Sequence, residues 1–545
     1  MNSRMNHGEK GALVADQPHP PAPTADPVLI AELRRDLATT RYEVGHLGEI
    51  VGEVAIAALD REEPLPARDA AAASTEPAAA LMRLFTLGQE LTRTELDRAL
   101  PAVGADGAAR LGLVRAAGQG AGDPVRAQVD LRPVSTGEHS WWLASDQGEA
   151  VTGAVLDTEH VLGVGAAGRT LAEITVPTPV RRALDLGTGC GIQALHVAGF
   201  CPDVVGSDLS ARALAFASFN AGLNGVGLDL RAGDMLAPVA GETFDLIVSN
   251  PPFVITPRTE AAPITYRDGG RGGDDLIAHL VRALPEHLGP GGTAQFLANW
   301  EIPAGGRWSE RLEAWTRDLD VDVDVWVIQR EQVDPARYAE TWLRDGGLTP
   351  ERDREGWEHA YRTYLRDFAA RDVGAIGFGY VLLRRRETGG GMRAVESTAD
   401  GGGRGGEFAP TGGPWRRFEE LTTPLPAGAG VAIGATLDAV PALAGDVLDR
   451  RYLVASDVTE ERHYRPGEPD PEVIVLHQGG GLGRSLRVSS HTAALVGACD
   501  GELAVGQIIG ALAVLSEEPV EAVRAEVAPM VRELVLDGFL RAVSP

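Results

Sequence analysis

Four short strand-like runs punctuate the stretch 181–253, closing in the turns DLGTGCG, VVGSDLS, RAGDML and SNPPF, and two of the intervening segments carry apolar residues at helical spacing. This alternation of strand and helix periods predicts an open parallel α/β sheet, where ligands bind beyond the carboxyl ends of the strands. The pattern runs on past Phe253. GGTAQFLANW predicts a fifth strand, WSERLEAWTRDL a helix, DVDVWVIQRE an alternating strand, and AIGFGYVLLRRR a last strand ending near Arg386. Between the last two strands, residues 334–371 read as helical, with Tyr338, Trp342, Trp357, Tyr361, Tyr364 and Phe368 in an aromatic stripe that reads as core.

Outside this sheet the signals are shorter. Asp26-Pro27 predicts a capped helix start, with Leu29, Leu33 and Leu37 on one face. Three short helices follow, LMRLFTLG, TRTELDRAL and ADGAARLGLV, and then AQVDLRP and SWWLAS as a hairpin about Ser135-Thr136-Gly137-Glu138. Three helices and a hairpin make a winged-helix-like pattern. The chain closes in amphipathic helices and an apolar strand. The expected organisation is a tail over residues 1–25, a helical accessory domain over 26–150, the α/β domain over 151–388, a glycine-rich linker over 389–415 and a C-terminal accessory domain over 416–545.

Composition narrows the partners. At 545 residues the chain exceeds one core, and 77 acidic against 50 basic residues give a net charge of −27, which disfavours non-specific binding to a polyanion. Cys190, Cys201 and Cys499 are the only cysteines, without C-x-x-C spacing, so neither a disulfide framework nor a metal site is expected. No apolar run is long enough to span a bilayer and the opening stretch lacks an apolar signal core. A reduced, cytoplasmic setting is the expectation.

The four turns carry the candidate chemistry. Gly187, Gly189 and Gly191 follow the first strand, and their spacing differs from the dinucleotide pattern G-x-G-x-x-G. Asp208 stands twenty-three residues past Asp185, where a carboxylate at the tip of the second strand accepts hydrogen bonds from a ribose diol. Asp234 could accept from the amine of an adenine. Each aspartate also reads as a cap or turn former. In the fourth turn, Pro251 and Pro252 donate no backbone hydrogen bonds and fix φ, so the chain leaves the sheet in a rigid, extended shape. The Asn250 side-chain carbonyl and the Pro251 carbonyl can then accept both hydrogens of a planar NH₂ group, and Phe253 offers it a flat face.

DLGTGCG, Asp208, GDM and NPPF in this order resemble the class I S-adenosylmethionine-dependent methyltransferases that methylate nitrogen, and most of all their release-factor glutamine methyltransferase branch. The resemblance covers residues 150 to 300. It implies a Rossmann-like α/β domain with Asp185, Gly187, Thr188, Gly189, Gly191, Asp208, Leu209, Asp234, Met235 and Asn250 around S-adenosylmethionine. It further implies Asn250, Pro251, Pro252 and Phe253 as the acceptor site. The acceptor it implies is a glutamine amide in a protein of the translation machinery. The alternatives are a base amine of structured ribosomal or transfer RNA, because the NPP turn is shared with such enzymes, and a binding module without turnover. His160 reads as a cap or core residue sooner than as a base, and residues 266–275 as either a capped glycine loop or a substrate lid.

Overall fold

The computed structural model describes residues 20–61, 63–136, 139–153, 159–258, 272–317, 319, 322–387, 413–443 and 446–543. The Gly-rich segment 388–412, most of the 266–275 stretch and Asp157 lie outside the described residues. The chain forms two compact units, residues 1–132 and 133–545.

In the first unit, Asp26 caps the helix Pro27–Thr39 by accepting from Val28 N and Leu29 N, and Leu29, Leu33 and Leu37 are buried as their spacing requires. Thr92 and Glu95 form a capping box at the head of the helix Arg93–Ala99. A small sheet of Leu91–Thr92, Pro124–Ala127 and Val114–Ala116 accompanies the helices, in that order. These strands are two to four residues long, too short for a period to show in the sequence. The expected hairpin forms as a separate two-stranded sheet, Asp130–Thr136 with His139–Ser145.

The second unit is built on one large sheet. Its strands are β1 (Arg182–Leu186), β2 (Asp203–Asp208), β3 (Asp229–Ala232), β4 (Phe244–Ser249), β5 (Leu288–Pro303), β6 (Val323–Val333), β7 (Val373–Arg385) and β8 (Arg416–Glu420). The order is β8-β6-β7-β5-β4-β1-β2-β3. Strands β1 to β5 pair in parallel, whereas β7 runs antiparallel to both β5 and β6, so the sheet is mixed where an all-parallel one is expected. Strand β8, from the region read as accessory, extends it in parallel beside β6.

Both faces are covered, which is why these strands are almost continuously apolar. Successive side chains point to opposite faces. Val325, Val327, Val381 and Leu383 enter a core with the helix Asp275–Ala283 and Trp315. Their neighbours Trp326, Ile328, Tyr380 and Leu382 enter another with the C-terminal helices Ala429–Ala442, Val505–Leu515 and Val520–Leu536. The C-terminal part is thus packed on the sheet itself. At Gly430 a Cβ atom would strike the carbonyl oxygen of Thr175, and at Gly434 it would lie 2.9 Å from Val176 Cγ1, so the helix rests on the backbone that leads into β1.

Two ties cross this face. Gln295 on β5 accepts from Val176 N at 2.9 Å and donates to Ile174 O at 2.9 Å. Arg417 and Glu419 on β8 meet Arg484 and Asp537 in a buried charge network, with Arg484 Nη2 2.7 Å from Glu419 Oε1 and Arg417 Nη2 2.6 Å from Asp537 Oδ1.

Candidate active site

The strand register places the candidate turns side by side. Leu186 pairs with Ser207 on one side and with Ser249 on the other, and Ser249 Oγ donates to Leu186 O at 2.7 Å. The next residues of the three strands, Gly187, Asp208 and Asn250, therefore stand together at the carboxyl edge.

The first turn is bound to β2 from behind and bare in front. Gly187 N and Thr188 N both donate to Ser207 O at 2.9 Å. The φ angles at Gly187, Gly189 and Gly191 are 74°, 54° and 89°, which a side chain would resist. A Cβ at Gly187 or Gly189 would meet nothing within 4 Å, whereas one at Gly191 would lie 3.3 Å from Ala217 Cα and Cβ. The first two glycines thus expose backbone to a ligand, and the third lets the helix Ile192–Ala198 approach the helix Ala211–Asn224. Asn220 clamps the turn from outside by donating to Cys190 O at 2.8 Å.

Asp185 lies beneath the turn. Its Oδ2 accepts from Thr188 Oγ1 at 2.7 Å and Ala194 N at 2.9 Å, while Oδ1 is buried without a hydrogen-bond partner among the described residues. Burial pushes its pKa up to about 7 against these two hydrogen bonds, with the charge of Asp208 adding to the rise. Asp208 accepts from Gly189 N at 2.9 Å on Oδ2 and from Ser210 N at 2.8 Å on Oδ1, with lone-pair capacity left for a further donor. Its pKa too is raised by burial, although the amides of Ser210, Gly189 and Leu209 work to lower it. Leu209 beside it is 59 % exposed.

Asp234 and Met235 stand one strand further out. Gly233 N donates to Asp208 O at 3.0 Å, which ties their turn to β2. Asp234 is exposed, and Met235 has a φ of 47°. A non-glycine residue in this region costs energy, and such strain gathers at ligand sites. Bare turn backbone, a buried orphan carboxylate oxygen and a second carboxylate with free lone pairs fit S-adenosylmethionine, a cation that carries a ribose.

Past β4, Asn250 is exposed, Pro251 is buried, and Phe253 packs against the cores on both faces of the sheet. Further on, Asp274 accepts from Glu301 N and from Arg311 Nε, both at 2.9 Å, and makes no side-chain cap to the helix it precedes. It is a buried ion-pair residue and not the cap that is one of the two readings of this stretch. His160 is buried.

A family model described as Methyltransferase small domain matches residues 163–314. This span holds every one of the four turns. Two further models match on either side, Domain of unknown function (DUF7059) over residues 39–128 and Domain of unknown function (DUF7782) over residues 436–542. The ribosomal protein uL3 glutamine methyltransferase of Bradyrhizobium diazoefficiens is 38 % identical over 151 residues, which are 26 % of this chain and 46 % of that protein. The release factor glutamine methyltransferase of Geobacter sulfurreducens is 38 % identical over 136 residues, 22 % of this chain and 48 % of that protein. The chain thus spans about half the length of these curated relatives. A solved T. thermophilus 16S rRNA N2 G1207 methyltransferase aligns at 18 % identity over 47 % of this chain and 65 % of that one, with a TM-score of 0.26.

The matched span ends before a helical hairpin, Pro335–Asp345 and Arg354–Ala370, inserted between β6 and β7. Its aromatic stripe forms a core with Ile255, as the spacing predicts. One function of the stripe escaped the periodicity. The Tyr338 hydroxyl accepts from Ile255 N at 2.8 Å, just beyond the Pro-Pro turn, and from Asn299 Nδ2 at 2.8 Å. The signal was a tyrosine in an apolar stripe, because a buried phenol needs a partner. At the hairpin's other end, Arg352 donates to Glu149 Oε1 at 2.6 Å and Gly153 O at 2.9 Å. Among the described residues no helix is long and apolar enough to cross a membrane, and no cluster of side chains suits a metal ion.

Proposed function

We propose that this protein transfers a methyl group from S-adenosylmethionine to a planar NH₂ nitrogen, and that the acceptor is a glutamine amide in a protein of the cytoplasmic translation machinery. The observation that carries the reading is the row Leu186, Ser207, Ser249, which sets the glycine turn, Asp208 and Asn250 at one edge of the sheet. The glutamine acceptor is supported by the names of the two curated relatives, one modifying a release factor and the other a ribosomal protein. The net charge of −27 supports a protein acceptor over a polyanion.

When bound, S-adenosylmethionine supplies an electrophilic methyl group on a sulfonium. The chain's task is to make a poor nucleophile attack it. An amide nitrogen has a delocalised lone pair. Asn250 Oδ1 and Pro251 O accept its two N–H bonds, turn the lone pair toward the methyl and stabilise the positive charge that grows on nitrogen. Once methylated, the acceptor nitrogen would give up one N–H proton to water, so that Asn250 Oδ1 and Pro251 O release a neutral product.

Tritiated methyl from the cofactor, added with the protein to an extract of its own host lacking the gene, should enter the protein fraction at glutamine. Label in the RNA fraction would overturn the acceptor, and label in neither would overturn the activity. Asn250→Ala should lower the transfer rate on the order of 100-fold with the calorimetric Kd for S-adenosylmethionine unchanged, because the contact strengthens only in the transition state.

A further inference from the structure

The Pro-Pro turn has a mechanical problem. Pro251 and Pro252 have no N–H, so the backbone amides able to tie this loop to the rest of the fold lie beyond the proline pair. Ile255, five residues after Asn250, is buried and donates its amide to Tyr338 Oη at 2.8 Å. The same oxygen accepts from Asn299 Nδ2 at 2.8 Å, and Asn299 lies on β5 three residues beyond the partner of Ser249. A phenol oxygen aimed by two donors, one from the loop and one from the sheet, joins the loop to β5 at a fixed distance. The ring cannot swing. It is buried, meets Phe368 edge-on at 5.7 Å and lies 5.7 Å from Phe378, which itself pairs with Asn299 across β5 and β7.

From this geometry we infer that Tyr338 is a positioning residue for methyl transfer: it holds the exit of the Pro-Pro loop so that Asn250 and the Pro251 carbonyl stay aimed at the acceptor nitrogen. The role rests on the proposed methyl transfer and extends it beyond the matched domain, since Tyr338 belongs to the inserted hairpin. The competing account is a buried hydroxyl that is merely satisfied, and the two make different predictions.

Tyr338→Phe removes one oxygen and leaves the ring. If Tyr338 positions the loop, kcat falls on the order of tenfold, because small displacements of an aligned group are costly, while the Kd for S-adenosylmethionine is unchanged. In an Asn250→Ala background the same substitution has a clearly smaller effect on kcat, since only the Pro251 carbonyl is left to aim. Hydrogen exchange of the Ile255 amide, followed in peptides covering residues 250–258, should accelerate in Tyr338→Phe. A merely structural hydroxyl predicts equal losses in both backgrounds. An unchanged kcat, an undiminished effect without Asn250, or an unaltered Ile255 exchange rate overturns the inference. If Tyr338→Phe does not fold, Asn299→Leu, which removes one of the two donors and keeps the phenol, should lower kcat severalfold in the same Asn250-dependent way. No loss there overturns the inference too. The underlying reading fails separately: a wild-type protein that transfers no methyl, or an Asn250→Ala variant at full rate, sinks the function itself.

Discussion

A carboxylic acid buried with one oxygen unpartnered is a proton store. Asp185 is held at a pKa of about 7 by burial, far above the unfolded value of 3.8. Its contribution to stability is therefore complete below pH 4 and lost as pH climbs through 7, because the unfolded chain releases the proton first. A cation bound on the turn above it would favour the ionised form and drive the proton off. Affinity for S-adenosylmethionine should accordingly strengthen from pH 6 to pH 8 and then level. Calorimetry in two buffers of different ionisation heat should record proton release near pH 7, and Asp185→Asn should abolish it. Equal heats in both buffers for the wild type would refute the assignment. Asp208, which stands beside Gly189 with both oxygens already bonded to backbone, has a double task. It shapes the turn as well as offering lone pairs to a ligand.

At the scale of elements, the three glycines separate two duties. Gly187→Ala meets only the conformational cost of a positive φ, about 1–2 kcal/mol, and should lower stability little while strongly weakening cofactor binding, since its methyl enters open space on the ligand side. Gly191→Ala should do the reverse, with a larger fall in Tm, because its methyl pushes two helices apart. Paired thermal melts and calorimetry check this, and equal losses of stability would refute it. These turns were legible because glycine spacing, acidic tips and a proline pair are local and sit at strand ends. The pattern put Gly187, Asp208 and Asn250 at strand ends; that they lie in one row is set by the register of β1 with β2 and β4. The illegible parts are non-local. The reversal of β7 depends on how the inserted hairpin folds back, the eighth strand lies across residues that carry no pattern, and the Tyr338 contact joins positions 83 residues apart. Nor could periodicity reveal strands of two to four residues in the first unit.

At the scale of the molecule, the catalytic sheet lacks a complete surface of its own. Leu297, Trp326, Ile328, Tyr380 and Leu382 are buried only with the help of the C-terminal helices, and Glu419 is buried beside Arg417 and Arg484. Burial raises the pKa of that glutamate, but the hydrogen bond from Arg484 and the two arginine charges outweigh it and hold the value down to about 2. Its contribution is thus present above pH 4.5 and lost as pH falls toward 2. A chain ended after Arg386 keeps the whole matched span 163–314 yet should show no cooperative thermal transition by circular dichroism, because it exposes a large apolar face. A sharp melt like that of the full chain would refute this. The helix that presses Gly430 and Gly434 onto Thr175 and Val176 has no room to slide. Its consequence concerns delivery: a helix wedged against the strand lead-in is no tethered arm, so it cannot swing out to fetch cargo.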